Sequence, residues 1–289
     1  MDIKVILAIA AIALCLYIVS RTQSTTSIED KTELIPMPNY PERINLIYKA
    51  GEYMANIQLG ESKNILVVVD TGSNELVVSN NKCKNCPDDY GVYQENIDTP
   101  INQKIRYVSQ TTEYSVLREP LKLGNHTFNN YEFGSVDSME SNGKYGKYNV
   151  FGLSPLSDIW EHMSTPKILS FNFKDNYMQF NKLLNNNKSI PLLESTPSLP
   201  YFMIQCKLNN QMIKVVVDTG FTKTVLPSHF EKEKSYVLEF DNGTKIEMVN
   251  DSTSCTFNNL FGGCVVLGNK WLINKCFDFD VQNRLFYID

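Results

Sequence analysis

The hexamer Val67-Val68-Val69-Asp70-Thr71-Gly72 returns, residue for residue, as Val215-Val216-Val217-Asp218-Thr219-Gly220. A duplicated segment of this kind implies two structural units built on one plan. Three β-branched residues in a row form a buried strand, because the pleated surface suits side chains branched at Cβ. Each strand would end by delivering an aspartate and turning at once through Thr-Gly. A second shared element follows each copy: Val150-Phe151-Gly152 after the first and Val266-Leu267-Gly268 after the second. The second interval is the shorter one, so two lobes are expected, the second reduced.

The rest of the pattern is mainly β. Residues 53–59, stopped by Gly60, read as a strand, and residues 65–69 as a buried one. Residues 238–248 around Asn242-Gly243 read as a hairpin, since Asn and Gly both tolerate positive φ. The best helical stretch is short, residues 157–163. Three prolines interrupt residues 191–200 and mark the join. The expected fold class is therefore all-β, with an N-terminal lobe over 44–195, a C-terminal lobe over 196–289 and a pseudo-twofold axis between them.

The repeat carries chemistry. One aspartate at an apolar strand end is costly to ionise. Two of them facing each other can hold a single proton between them, because like charges at contact distance cannot both ionise. Such a pair has an acid and a base within reach of one water, and needs neither metal nor cofactor. Glycine in each turn lets backbone pass close to a carboxylate and donate its N–H. The hydroxyls of Thr71 and Thr219 can hydrogen-bond across the axis and fix both turns.

The N-terminus bears on the compartment. Residues 5–19 form an uninterrupted apolar run followed by Ser20. As a helix it covers roughly 22 Å, short of the ~30 Å hydrocarbon core. Residues 1–21 are thus read as either a cleaved signal peptide or a retained type II anchor, with membrane attachment only in the second case. Both readings send the chain into the secretory pathway: secreted, vacuolar or lysosomal, or anchored with its lobes in the lumen or outside. The polar, proline-containing stretch 22–43 is expected to be a tether or short prosegment. In that oxidising setting the six cysteines beyond Cys15 are expected as disulfides, with Cys206, Cys255, Cys264 and Cys276 making two bridges of unread connectivity. Four glycosylation sequons begin at Asn125, Asn187, Asn242 and Asn250. A net charge of −5 with no basic cluster gives no footprint for nucleic acid.

At Asp70-Thr71-Gly72-Ser73, Asp218-Thr219-Gly220 and the stretch from Val265-Val266-Leu267-Gly268-Asn269 to Leu285, the chain resembles the pepsin family of aspartic peptidases, over about residues 45–289. The resemblance implies a bilobal fold with a long cleft and hydrolysis of peptide bonds by a monomer. Asp70 and Asp218 would be the catalytic pair, supported by Thr71, Gly72, Ser73, Thr219 and Gly220. Tyr107 would be the tyrosine of a flap closing over the peptide, and Cys83 and Cys86 a small disulfide loop. Two departures matter. Phe221 stands where the family has a hydroxyl residue, leaving Thr222 as the substitute. Val77 stands where the family has a tryptophan behind the flap. A weakened, binding-only member of the fold is the alternative function.

Overall fold

The computed structural model describes residues 43–95, 103–107, 110–141, 147–185, 188–227, 230–251 and 264–289. The apolar run 5–19 and the proline-containing stretch up to residue 42 lie outside them; among the described residues no helix is long and apolar enough to cross a membrane.

Strands dominate, in two sheets. The smaller has five strands in the order Lys245–Val249, Ser235–Glu239, Met203–Leu208, Gln211–Val217 and Cys264–Leu267. The larger runs through thirteen strands and belongs to both halves of the sequence. In it the late strand Cys276–Asp280 pairs antiparallel with Ile168–Asn172, and Leu285–Ile288 pairs in turn with Cys276–Asp280 and with Ile190–Pro191. The last strands of the chain thus complete a sheet begun in the first half.

The duplicated hexamers occupy equivalent places. Ser62–Asp70 pairs in parallel with Val150–Gly152, setting Val69 beside Phe151 and Asp70 beside Gly152. Gln211–Val217 pairs in parallel with Cys264–Leu267, setting Val217 beside Leu267. The separated elements of each repeat are therefore neighbours in space. Val67, Val69, Val215 and Val217 are fully buried in one continuous core. The pleat turns Val68 the other way, onto Met54 and Tyr90.

An aromatic layer fills the space where the halves meet. Tyr53 stacks on Phe173 at 3.6 Å between centroids, Phe202 on Phe279 at 4.0 Å and Phe171 on Phe277 at 5.0 Å. Burying each such ring contributes about 2–3 kcal/mol, and the halves are joined where Phe277 stacks on Phe171 and meets Phe173 edge-on at 5.2 Å. Tyr53, which lies in the strand Glu52–Leu59, is a packing residue here, 1% exposed.

The local expectations for the other elements correspond to observed structure. Ser235–Glu239 and Lys245–Val249 form the hairpin, its turn closed by Gly243 at φ +83°. Asn242 needs no positive φ there, because a glycine at the last turn position relieves the twist alone. The short helix is Ile159–His162.

Two expectations about modification are corrected. Cys83 and Cys86 form the disulfide, but Cys206 and Cys276 are free thiols. Cys206 lies in the core, 1% exposed, where it packs as a small apolar residue. Cys255 and the side chain of Cys264 lie outside the described residues. Asn250, head of the fourth sequon, is buried: its amide nitrogen donates to the carbonyls of Phe230 and Glu231, and its oxygen accepts from the Leu226 N–H. That amide braces a loop and is closed to a glycan. Asn125 is exposed, and Asn187 lies outside the described residues.

Candidate active site

Asp70 and Asp218 sit at the ends of the two equivalent strands, each 9% exposed. Their turns interlock. The Thr71 N–H donates to the Thr219 hydroxyl at 3.0 Å, and the Thr219 N–H donates to the Thr71 hydroxyl at 3.0 Å. The Thr71 hydroxyl donates onward to the Val217 carbonyl at 2.9 Å, and the Thr219 hydroxyl to the Val69 carbonyl at 2.5 Å. Four bonds thus join the lobes at the axis, and none of the buried groups in them is left unsatisfied.

The glycines bring the carboxyls together. A Cβ on Gly72 would lie 2.5 Å from Asp218 Oδ2, and one on Gly220 would lie 2.3 Å from the Asp70 Cγ. Each aspartate therefore rests on the glycine of the opposite turn, where any side chain would displace it. Each also accepts from its own turn: the Gly72 N–H donates to Asp70 Oδ1 at 2.8 Å, and the Gly220 N–H to Asp218 Oδ1 at 2.9 Å.

The two carboxyls are not equivalent. Burial pushes both up, and they lie within hydrogen-bonding reach of each other. Asp70 is pulled back by the Ser73 hydroxyl, the Gly72 N–H and Asp218. The buried Ser73 hydroxyl forms no well-aligned hydrogen bond, yet lies close enough to act on Asp70. Asp218 has only the Gly220 N–H on that side and is raised further by the charges of Asp70 and Glu52. Asp218 is thus the member pushed further up, which favours the proton of a singly protonated pair on its side. The asymmetry is written in the sequence as Ser73 against Phe221.

Thr222 does not take over the missing role. Its hydroxyl donates to Glu52 Oε1 at 2.6 Å, because the loop after Gly220 turns it toward the first lobe.

Tyr107 follows the strand Gln103–Arg106, and its N–H donates to the Gln110 carbonyl at the end of the opposing strand Gln110–Leu123. The two strands form a hairpin, with residues 108 and 109 outside the described set. The Tyr107 hydroxyl is buried, and its ionisation is raised well above the ordinary value by burial, then by Glu75 and Asp70. The ring packs against a cluster containing Val77, Tyr114 and Met139, so a group of smaller side chains fills the place of the expected tryptophan. Beside the Asp70 turn, Asn74, Glu75, Leu76, Tyr114, Glu132 and Asp158 line a cavity of about 230 Å³.

Sequence reasoning missed three neighbours of the pair. Tyr201 is raised by burial and by the charges of both Asp218 and Asp70. Glu52 and Asn269 meet under the Asp218 loop, where the Asn269 amide donates to Glu52 Oε2 at 2.7 Å. The only sequence hint was Asn269 directly after the repeat glycine Gly268.

Residues 52–187 match the family model of eukaryotic aspartyl proteases. In fold the chain is similar to the crystal structure of the aspartic proteinase from Irpex lacteus. That match has a TM-score of 0.64 at 14% identity and covers 85% of this chain and 96% of the other. Among curated proteins none matches. The chain therefore has the fold of the pepsin-like aspartic proteinases, and its residues 52–187 carry the match to the eukaryotic aspartyl protease family.

Proposed function

We propose that the chain is an aspartic endopeptidase in which Asp70 and Asp218 together activate water. The carrying observation is the seating of each carboxyl on the opposite glycine, within hydrogen-bonding reach of its partner. Asp70 takes a proton from a water bound between the pair as its oxygen attacks the peptide carbonyl carbon. Asp218 gives its proton to the carbonyl oxygen, producing a neutral tetrahedral diol. Asp70 then protonates the amide nitrogen while Asp218 recovers a diol proton, the C–N bond breaks, and the pair returns to its starting state. Thr71, Thr219, Gly72 and Gly220 hold the geometry, Ser73 keeps Asp70 the base, and Tyr107 covers the peptide from the hairpin.

Digestion of an unfolded protein between pH 3 and 6, roughly the range for a singly protonated pair, tests the reading. Wild type is expected to cut, while Asp70→Ala and Asp218→Ala lose cleavage by at least roughly 10³-fold. Tight binding of peptides without cleavage at any pH would favour a binding protein instead.

We further infer a secretory compartment, supported by the Cys83–Cys86 disulfide and the apolar run 5–19. N-terminal sequencing of the natural protein distinguishes removal of residues 1–21 from retention as an anchor. A new N-terminus between residues 36 and 50 on acidification would mark 22–43 as a prosegment; an unchanged terminus removes that idea. Sedimentation at a single-chain mass is expected, because both halves of the pair come from one chain.

A further inference from the structure

Glu52 is 6% exposed, and no lysine or arginine pairs with it among the described residues. It belongs to the first lobe, yet both carboxyl oxygens are held by the second: Thr222 Oγ1 donates to Oε1 at 2.6 Å and Asn269 Nδ2 to Oε2 at 2.7 Å. Thr222 follows Asp218 by one turn of loop. Asn269 reaches the same loop independently, its amide lying 2.8 Å from the Thr219 carbonyl and its N–H donating to the Phe221 carbonyl. The approach is tight, since a Cβ on Gly51 would lie 2.9 Å from the Thr222 methyl. Asn269 Oδ1 is buried and accepts no hydrogen bond among the described residues, so the amide is oriented by what its nitrogen meets: Glu52 and the carbonyls of Thr219 and Gly51.

We propose that Glu52 is a positioning residue for the second aspartate, its carboxyl clamping the Asp218–Thr222 loop to the first lobe through Thr222 and Asn269. The inference rests on the peptidase reading above. It answers a specific deficit: Asp70 has a hydroxyl neighbour in Ser73, whereas Phe221 gives Asp218 none, and the hydroxyl one place later anchors the loop instead of the carboxyl. Burial, then the charge of Asp70, holds Glu52 up at about 8. The ionisable groups around it are Asp70, Asp218 and Tyr48, all anionic when ionised. At the acidic pH where the pair works, the clamp is therefore neutral, and its hold is one of hydrogen bonding.

Steady-state cleavage of one peptide at pH 5 tests this. Glu52→Ala is expected to lower kcat by roughly tenfold or more with KM within about twofold, the pattern of a misplaced reacting group. Glu52→Gln still offers an oxygen to Asn269 and an N–H to the Thr222 hydroxyl, and should restore kcat to within about threefold. Thr222→Val should lower kcat and Thr222→Ser recover it, which keeps the test open if Glu52→Ala fails to fold. An active wild type with kcat unchanged in Glu52→Ala and Thr222→Val overturns this inference alone, as does an effect confined to KM. A wild type that cleaves nothing at any pH overturns the peptidase reading, and this inference with it.

Discussion

Two glycines decide how close the carboxyls can come. At Gly220 even a methyl group would collide with the Asp70 carboxyl, and at Gly72 with that of Asp218. Gly220→Ala should therefore push the pair apart and cost on the order of 10²-fold in kcat, read by single-turnover cleavage. The Thr71 and Thr219 hydroxyls act differently, since they tie backbone to backbone across the axis. Thr71→Val removes the donor to Val217 and the acceptor for the Thr219 N–H, leaving buried partners unsatisfied. A loss of about 2–4 kcal/mol is expected in urea unfolding. These roles were legible from the sequence, because the hexamer states them locally and twice. The Glu52 contacts were not: Thr222 and Asn269 lie 170 and 217 residues away from it. No local pattern specifies which buried carboxyl will meet a given loop.

At the scale of elements, the parallel pairing of each aspartate strand with a distant short strand is the device that frames the site. It works only because Gly152 and Gly268 allow backbone to cross backbone. A Cβ at Gly268 would lie 2.1 Å from the Phe221 carbonyl oxygen, and one at Gly152 would lie 2.3 Å from the Asn74 carbonyl carbon. Gly268→Ala should cost at least about 3 kcal/mol, since no flexible side chain can yield there; a thermal midpoint unchanged from wild type would contradict the account. Both glycines could be picked out in the sequence by their fixed place after two apolar residues. Strand partners across the lobes could not, because the register of Cys276–Asp280 against Ile168–Asn172 is set by the aromatic layer between them. The fourth sequon misled for a related reason. The three-residue pattern cannot tell an exposed asparagine from one, like Asn250, whose amide braces a loop.

For the molecule as a whole, three buried carboxyls at one axis make stability a function of pH. Asp70, Asp218 and Glu52 are all raised, by burial first. A raised folded pKa means that the folded state holds the proton more tightly than the unfolded chain. For Glu52 that stabilisation is complete below its ordinary value of 4.5 and is lost as pH climbs to about 8. The loss amounts to about 3–5 kcal/mol, so the wild-type melting temperature should fall by roughly 10 °C between pH 5 and 8. Calorimetry of Glu52→Gln, which cannot ionise there, should show a flatter curve; an identical slope would contradict the assignment.

The late strands Cys276–Asp280 and Leu285–Ile288 lie in the sheet that begins in the first half of the chain. During synthesis that sheet stays unfinished until residues 276–288 have been made, well after the turn at Thr219 that locks onto the Asp70 turn. Removing those two strands would therefore do more than shorten the second half: it would strip the neighbours of Ile168–Asn172 and Ile190–Pro191 from the sheet that also carries the Asp70 strand.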